Sequence, residues 1–314
     1  MFMTAPFRVA LFGECMLELQ GQAFGTMSQG FGGDTLNTAV YLARCGGAGF
    51  TVSYATALGD DGFSAGMMER WAAEGIELDL VQRLPGRLPG LYMIELDPSG
   101  ERRFSYWRDT AAAKAFFDAE LTQLEARADE WDALYLSGIS LAILPPAGRE
   151  RLLALMARVR ARGAQVIFDN NYRPRLWSDV AVARSAFARA FAVATTALVT
   201  ADDHQLLYGL PTLEAAVQVA RELSSAELLI KRGAAPTLVR QAGVSHWQEA
   251  ATEPVAQVVD TTAAGDSFAA GYLSQRLAGA SAVDAARFGN RLAARVIQHR
   301  GALIPREEMQ DLMP

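Results

Sequence analysis

Residues 260–272 read DTTAAGDSFAAGY, a loop of small residues that leads directly into an apolar helical segment. The first backbone N–H groups of an α-helix have no acceptor within the helix, so they bind anions together with the positive end of the helix dipole. Small side chains also let a phosphate group approach the backbone closely. We therefore predict an anion hole at this helix start, formed by Ala263, Ala264 and Gly265.

An aspartate, Asp266, follows these residues directly. A carboxylate beside a bound phosphate can take the proton of an attacking hydroxyl group, as general-base catalysis of phosphoryl transfer requires. The alternative is that Asp266 only caps the helix and that the small residues only permit close packing. The segment alone leaves both interpretations open.

Around this segment, short apolar runs alternate with Ala-, Leu- and Arg-rich runs of helical period. The alternation predicts an α/β fold with a doubly wound, mostly parallel sheet flanked by helices, whose ligands bind beyond the carboxyl ends of the strands. Ser281 and Asp284 predict a capping-box-like start for the last helix. The predicted strands are 8–12, 51–56, 133–137, 165–169, 197–200 and 227–230, and the predicted helices are 35–44, 64–74, 149–162, 213–223, 267–277 and 283–298.

Two segments interrupt this alternation with strand-like sequence. One is glycine-rich, and the other carries LYMIELD and RRFSYW on either side of a Pro98-Ser99-Gly100 turn, which predicts a β-hairpin. We expect these two segments, residues about 16–31 and about 84–112, to form a small β-sheet lid. The lid would belong to a single domain spanning residues 1–314. An exposed lid edge would also permit a homodimer through the lid. A further hairpin is predicted at 237–248, with its turn at Ala242-Gly243.

Composition excludes several classes of protein. The 314 residues are 51% hydrophobic, which rules out a disordered chain, and a net charge of −6 without a basic block argues against nucleic-acid and membrane-surface partners. Cys15 and Cys45 give neither a disulfide framework nor a zinc cluster. The start of the chain has no signal-peptide pattern, and no apolar run reaches the ~20 residues of a membrane span. We expect a cytoplasmic protein.

Common functional motifs are also missing. The sequence has no Gly-Lys pair and hence no P-loop, and GFGGDT at 30–35 lacks the last glycine of a dinucleotide fingerprint. GISLA at 138–142 is not a nucleophile elbow, and the histidines are scattered singly. A metalloenzyme, a serine hydrolase and a Rossmann dehydrogenase are therefore weak candidates.

The segment at 260–272 resembles the second signature, D-T-x-G-A-G-D, of the ribokinase-like (PfkB-type) sugar kinases. FGGDTLN at 31–37 resembles their first signature, G-G-x-x-x-N, and the two lie in the expected order near opposite ends of the chain. The resemblance covers essentially the whole sequence. It implies a ribokinase-like fold, ATP as the phosphoryl donor and Asp266 as the general base.

Five further segments are similar to the 2-keto-3-deoxygluconate kinases within that family: GECM at 13–16, LPGLY at 88–92, YWR at 106–108, SGIS at 137–140 and DNNYRPRLW at 169–177. The similarity implies ATP-dependent phosphorylation of the 6-hydroxyl of 2-keto-3-deoxygluconate, in the Entner–Doudoroff route and hexuronate catabolism. The alternatives are another PfkB-type sugar kinase, for fructose or 5-keto-2-deoxygluconate, and a non-catalytic regulator that binds sugar or nucleotide.

A sugar acid carries a carboxylate, which planar guanidinium groups bind through two hydrogen bonds. Arg108 ends the predicted lid hairpin and Arg173 follows a core strand, so both are expected to face the crevice; a surface salt bridge is the alternative for each. The resemblance implies that both contact the substrate. It adds a pocket lined by Gly33, Asn37, Tyr92, Tyr106 and Asp266.

The nucleotide site is expected where Lys231-Arg232-Gly233 follows a strand at the carboxyl edge of the sheet. The resemblance places these residues around ATP, with Asn171, Thr200 and Asn290; for Asn290 a solvated polar role is the alternative.

The sequence departs from the family pattern in two places. Ala263 stands where most members have glycine, and we expect it to adopt a conformation that alanine tolerates. Thr200-Ala201-Asp202-Asp203 replaces the N-x-x-E magnesium element, so that Asp202 or Asp203 either orients metal-bound water or caps a helix. Mg²⁺ is expected to be held mainly by the ATP phosphates, without a protein metal site of its own.

Overall fold

Two β-sheets organise the chain, in a computed structural model that describes residues 5–96 and 102–314. The strands are β1 Phe7–Phe12, β2 Met16–Gly21, β3 Met27–Gly32, β4 Phe50–Leu58, β5 Ile76–Glu77, β6 Val81–Arg83, β7 Leu91–Leu96, β8 Arg102–Trp107, β9 Ala133–Ser137, β10 Gln165–Asp169, β11 Thr196–Thr200, β12 Glu227–Arg232, β13 Ala235–Arg240 and β14 Gln248–Ala250.

The α-helices are α1 Asp34–Gly46, α2 Gly62–Ala73, α3 Gln123–Ala126, α4 Gly138–Ala142, α5 Pro146–Ala161, α6 Val180–Val193, α7 Ala201–Tyr208, α8 Leu213–Arg221, α9 Ala264–Arg276 and α10 Ala282–Val296. Short 3₁₀ helices cover Gly47–Gly49, Ala112–Asp118, Pro174–Leu176 and Arg306–Leu312.

The larger sheet has the strand order β14-β13-β12-β11-β10-β9-β1-β4-β5, and β6 also pairs with β4. From β12 to β5 every neighbouring pair is parallel, while β13 and β14 join antiparallel at one edge. Side chains on a strand alternate between the two faces of the sheet. Phe12 and Phe168 thus pack on one face with Phe187 of α6, whereas Leu11 and Ile167 pack on the other face with α1 and α9. The predicted doubly wound, mostly parallel sheet is confirmed.

The smaller sheet has the order β3-β2-β7-β8, with β2 and β7 parallel and the two outer pairs antiparallel. Its strands come from the two segments that interrupt the α/β alternation, so the predicted lid sheet is confirmed. The predicted turn at Pro98-Ser99-Gly100 lies outside the described residues.

Most predicted elements lie within three residues of their observed bounds, and those of β9 and β10 coincide with them. The Ser281 hydroxyl accepts a hydrogen bond from the Asp284 N–H at 3.1 Å, as the capping pattern predicts. The hairpin after β13 turns at Ala242-Gly243, where Gly243 has φ 78°. Helices α6 and α7 were not predicted, because α6 is apolar on most of its surface and α7 has only eight residues with a polar first half.

Within the described residues, no helix has both the length and the apolar character needed to cross a membrane. Cys15 and Cys45 are buried free thiols.

Candidate active site

A cavity of about 430 Å³ opens between the carboxyl edge of the large sheet and the lid sheet. Asp169, Thr200 and Lys231 reach it from the ends of β10, β11 and β12. The lid contributes Glu18, Tyr92 and Tyr106, and the starts of two helices complete the lining with Gly33, Asp34, Asn37 and residues 261–266. The cavity therefore lies where ligands of an open α/β sheet bind.

Helix α9 begins at Ala264, and Ala263 caps it in the left-handed conformation, with φ 60° and ψ 15°. The expectation that Ala263 avoids such a conformation is therefore wrong. The chain has to reverse between the loop and the helix, and the Asp260 carboxylate fixes that loop through the N–H groups of Thr262 at 3.0 Å and Gly301 at 2.7 Å. A left-handed alanine costs roughly 1–2 kcal/mol.

The predicted anion hole lies at the cavity, since Ala263, Ala264 and Gly265 all line it. The Ala264 N–H donates to the Thr261 carbonyl at 3.2 Å, so it is partly engaged within the loop. The Gly265 N–H lies in the first turn of α9, where helix geometry provides no acceptor. A Cβ atom on Gly265 would lie 3.5 Å from Nζ of Lys231, which brings that ammonium group beside the helix start.

Asp266 lies at the third position of α9 and accepts a hydrogen bond of 2.9 Å from Asn37 Nδ2. Burial, together with the negative charge of Asp34, raises the pKa of Asp266 to about 7, although the Asn37 hydrogen bond opposes the shift. Asn37 belongs to the glycine-rich segment near the start of the chain. The two signature segments thus meet at one carboxylate that is able to exchange a proton near neutral pH.

Asp34 is a site residue that sequence reasoning did not single out, although it lies inside the quoted FGGDTLN segment. It starts α1, and its Oδ2 accepts a hydrogen bond of 2.7 Å from Asn171 Nδ2. Burial raises the pKa of Asp34 above its usual value, although hydrogen bonds from Ser137, Thr35 and Asn171 oppose the shift. Its place directly after the Gly32-Gly33 pair of the first signature was the available signal.

The predicted sugar-pocket residues of the lid lie together. The rings of Tyr92 and Tyr106 stand 6.1 Å apart on neighbouring strands, and the Tyr92 hydroxyl donates to Glu18. Gly33, the residue before α1, packs tightly against the backbone of Glu14. A Cβ atom at position 33 would lie 2.1 Å from the Glu14 carbonyl oxygen. Glycine is therefore required at position 33 by space.

The two arginines predicted to bind a carboxylate differ in position. Arg173 lines the cavity, and its half-exposed guanidinium lies 3.3 Å from the Asp203 carboxylate. Arg108 is absent from the cavity lining and pairs instead with the buried Glu14. Of the two acidic residues after β11, Asp203 lines the cavity, whereas Asp202 is exposed.

Lys231, Asn171 and Thr200 line the cavity as predicted for the nucleotide site. The Lys231 ammonium lies 2.8 Å from Oδ2 of Asp169, and both side chains are buried. No group of three His, Cys, Asp or Glu side chains suited to a metal ion occurs in the described part of the chain.

Three further residues predicted to contact ATP, Arg232, Gly233 and Asn290, lie outside this cavity. Arg232 and Gly233 do so because β12 continues to Arg232 and the chain turns there into β13. Gly233 forms that turn with φ 61°, and Arg232 donates to the Pro236 carbonyl. The Asn290 amide accepts from Thr237 at 3.0 Å and donates to backbone carbonyls at 3.1 and 3.0 Å. These contacts attach α10 to the β13–β14 edge, and they favour a structural role for Asn290.

Comparison with known proteins agrees with this geometry. Residues 7–309 match the family described as pfkB family carbohydrate kinase. The chain is 48% identical over 307 residues to the 2-dehydro-3-deoxygluconokinase of Escherichia coli (strain K12), covering 96% of this chain and 98% of that protein. It is 48% identical over 304 residues to the 2-dehydro-3-deoxygluconokinase of Dickeya dadantii (strain 3937), covering 96% and 98%.

Among solved structures, the fructokinase with bound ATP from Xylella fastidiosa is 26% identical, with a TM-score of 0.82 and coverage of 97% of both chains. The fold, the paired signature segments and the full-length match agree. The chain belongs to the pfkB family of carbohydrate kinases.

Proposed function

We propose that this kinase is a 2-dehydro-3-deoxygluconokinase, which transfers the terminal phosphoryl group of ATP to the 6-hydroxyl of 2-keto-3-deoxygluconate. The observation that carries the chemistry is the Asp266 carboxylate, whose pKa lies near 7 beside the start of α9. The substrate assignment is supported by the 48% identity to relatives of that name, against 26% to the fructokinase.

In this mechanism Asp266 accepts the proton of the 6-hydroxyl as the new oxygen–phosphorus bond forms and the bond to the departing ADP breaks. An aspartate with a pKa near 7 is partly deprotonated at neutral pH and still basic enough to take the proton. The Gly265 N–H and the Lys231 ammonium stabilise the negative charge of the transferring group.

The substrate is held from both sides of the cavity. Arg173, which lines the cavity, is the cation proposed to meet the carboxylate. Arg108 lies outside the cavity lining and pairs with Glu14, and it is proposed to contact the carboxylate when the lid closes. Asp34 and Asn37 face the sugar hydroxyls from α1, since Asn37 Oδ1 is buried without a partner in the described structure. Tyr92 and Tyr106 cover the sugar, and closure of the lid limits hydrolysis of ATP by water.

The polar residues of the cavity fit a magnesium nucleotide. Mg²⁺ in kinases is held by one or two carboxylates together with substrate phosphates rather than by a full protein cage. Asp203 is the cavity carboxylate placed to orient metal-bound water, beside Lys231 and Thr200. Asn171 completes this side of the site. Arg232 and Gly233 remain predicted ATP contacts beyond the cavity, whereas the contacts of Asn290 with Thr237 and backbone carbonyls favour a structural role over the predicted ATP contact.

We also infer a cytoplasmic enzyme, since Cys15 and Cys45 are both free thiols and the reaction uses ATP. A homodimer through the lid remains part of the proposal. Trp107 exposes 59% of its surface on β8, an edge strand of the lid sheet, and it is not part of the cavity lining. Exposed aromatic residues on a sheet edge favour pairing with a second copy.

The test is a substrate panel read by ADP release, with ATP and Mg²⁺ and with 2-keto-3-deoxygluconate, 5-keto-2-deoxygluconate and fructose as acceptors. The keto-deoxy acid is expected to give a kcat/KM at least ~10-fold above the others, and phosphorus NMR should place the product phosphate on the 6-oxygen. Preference for fructose would overturn the substrate assignment. ADP release with none of the three would favour a non-catalytic regulator.

A further inference from the structure

Glu14 lies where the lid joins the core. Four chain crossings connect the two: residues 13–15, Gly33, residues 84–90 and residues 108–111. Glu14 belongs to the first crossing and touches the other three. A Cβ atom on Gly33 would lie 2.1 Å from its carbonyl oxygen, one on Gly90 would lie 2.7 Å from its Oε1, and Arg108 pairs with its Oε2.

Glu14 is only 2% exposed, and its Oε1 has no hydrogen-bond partner in the described structure. Burial raises the pKa of Glu14; the charges of Arg108 and Lys114 lower it, and that of Asp34 raises it. A buried carboxylate is costly without a paired cation, and removing one partner of such a pair leaves the other uncompensated. The buried Glu14 carboxylate therefore holds Arg108 where the lid joins the core.

The position of Arg108 in the sequence links the hinge to the cavity. Tyr106 on β8 lines the cavity, and Arg108 follows Tyr106 by two residues, directly after β8 ends at Trp107. A guanidinium group carries five N–H donors in a fixed plane, and Glu14 uses one end of this fork.

We propose that Glu14 is a positioning residue for recognition of the substrate acid: it fixes Arg108 at the lid hinge, so that the free side of the guanidinium meets the substrate carboxylate when the lid closes. The inference rests on the proposed function, because it requires an anionic sugar.

The experiment compares wild type and Glu14→Gln as full-length enzymes, with KM for 2-keto-3-deoxygluconate and KM for ATP measured separately. We expect KM for the sugar acid to rise about 10-fold, while KM for ATP stays within about twofold. The control is Glu74→Gln, which breaks a different, partly buried pair, with Arg44 Nη2 2.6 Å from Glu74 Oε1. This control should lower the melting temperature and leave both KM values unchanged.

A double variant separates positioning from a structural role. In the Arg108→Met background, Glu14→Gln should change KM for the sugar acid by less than about twofold, because its effect passes through Arg108. If the effects of Glu14→Gln and Arg108→Met on KM for the sugar acid multiply in the double variant, the proposal is overturned. An unchanged or lowered KM in Glu14→Gln alone would overturn it as well.

Should Glu14→Gln fail to fold, Glu14→Asp keeps the charge and shifts Arg108; it should raise KM for the sugar acid, and an unchanged KM would overturn the proposal. The substrate preference of the wild type separates the proposed function from the proposed role of Glu14. A wild type that prefers neutral sugars overturns both proposals. A wild type that prefers the acid, with an unaffected Glu14→Gln, overturns only the role of Glu14.

Discussion

Asn37 Nδ2 donates a hydrogen bond of 2.9 Å to Oδ2 of Asp266, although the two residues are 229 positions apart in the chain. A second contact supports the first, because the Thr38 hydroxyl donates to the Asp266 backbone carbonyl at 3.3 Å. The starts of α1 and α9 are thereby fixed against each other. The carboxylate proposed as general base owes its orientation to the signature segment near the other end of the chain.

Replacing Asp266 by asparagine removes the proton acceptor with little change of shape. We expect Asp266→Asn to lower kcat by at least ~10², since general-base catalysis contributes about that factor or more. The matched control is Asp284→Asn, because Asp284 is also the third residue of its helix and is exposed beside Ser281 and Arg287. The control should keep kcat within about twofold. Steady-state ADP release by folded protein checks both, and an unchanged kcat in Asp266→Asn would exclude the base.

The pH profile of the enzyme should report the ionisation of Asp266. Its pKa of about 7 means that kcat/KM falls as the pH drops below about 7, because only the deprotonated carboxylate accepts a proton. Asn37→Ala removes a hydrogen bond to the charged form, which raises the pKa of Asp266 and moves the acid limb to higher pH. Asp34→Asn removes a nearby negative charge and moves the limb to lower pH.

These shifts are measured from kcat/KM between pH 5 and pH 9. The prediction concerns the pH at which kcat/KM falls on the acid side, not the maximum value of kcat/KM. Both variants also touch the proposed sugar site and will lower the rate. An acid limb that stays in place in both variants would show that another group controls the profile.

The same carboxylate should make wild-type stability depend on pH. The pKa of Asp266 is about 7 in the folded protein and 3.8 in its unperturbed state, so the folded form binds the proton more tightly. The contribution of this group to the free energy of unfolding therefore falls as the pH rises from about 4 to about 7. Asp266→Asn abolishes that loss.

We expect the melting temperature of Asp266→Asn to exceed that of wild type by about 2 °C or more at pH 8, and the difference to shrink toward pH 4. Thermal unfolding of both proteins at several pH values provides the measurement. A difference that stays constant with pH would mean that the carboxylate is not the source.

Much of this site was accessible from the sequence because its main elements are local. The helix start at 263–266 follows from small residues before an apolar run. The parallel sheet follows from the alternation of short apolar, strand-like runs with runs of helical period. The contact of Asn37 with Asp266 could be expected only from the family resemblance, since nothing local links positions so far apart.

The partners of charged and polar side chains were harder to predict from the sequence. Arg108 was expected in the crevice, but the sequence carries no sign that Glu14 is buried beside it; that follows from four chain crossings meeting at one point. Asn290 lies on an amphipathic helix, and whether its amide meets ligand or backbone depends on how β13 and β14 pair beside it.

Ala263 offers a test of backbone strain at the anion hole. Its φ of 60° lies in the left-handed region, which costs alanine roughly 1–2 kcal/mol and glycine almost nothing. Glycine loses more chain entropy on folding, by roughly 0.5–1 kcal/mol, so Ala263→Gly should stabilise the protein by about 0.5–1 kcal/mol net. The matched control, Ala264→Gly, places glycine at a helical position one residue later and should destabilise the protein by roughly 0.5–1 kcal/mol.

Urea unfolding measures both changes in stability, and kcat of Ala263→Gly should stay within about twofold, because the backbone donors keep their positions. Equal destabilisation by both glycines would mean that Ala263 is not strained. A higher kcat in Ala263→Gly would mean instead that the methyl group obstructs the bound phosphate.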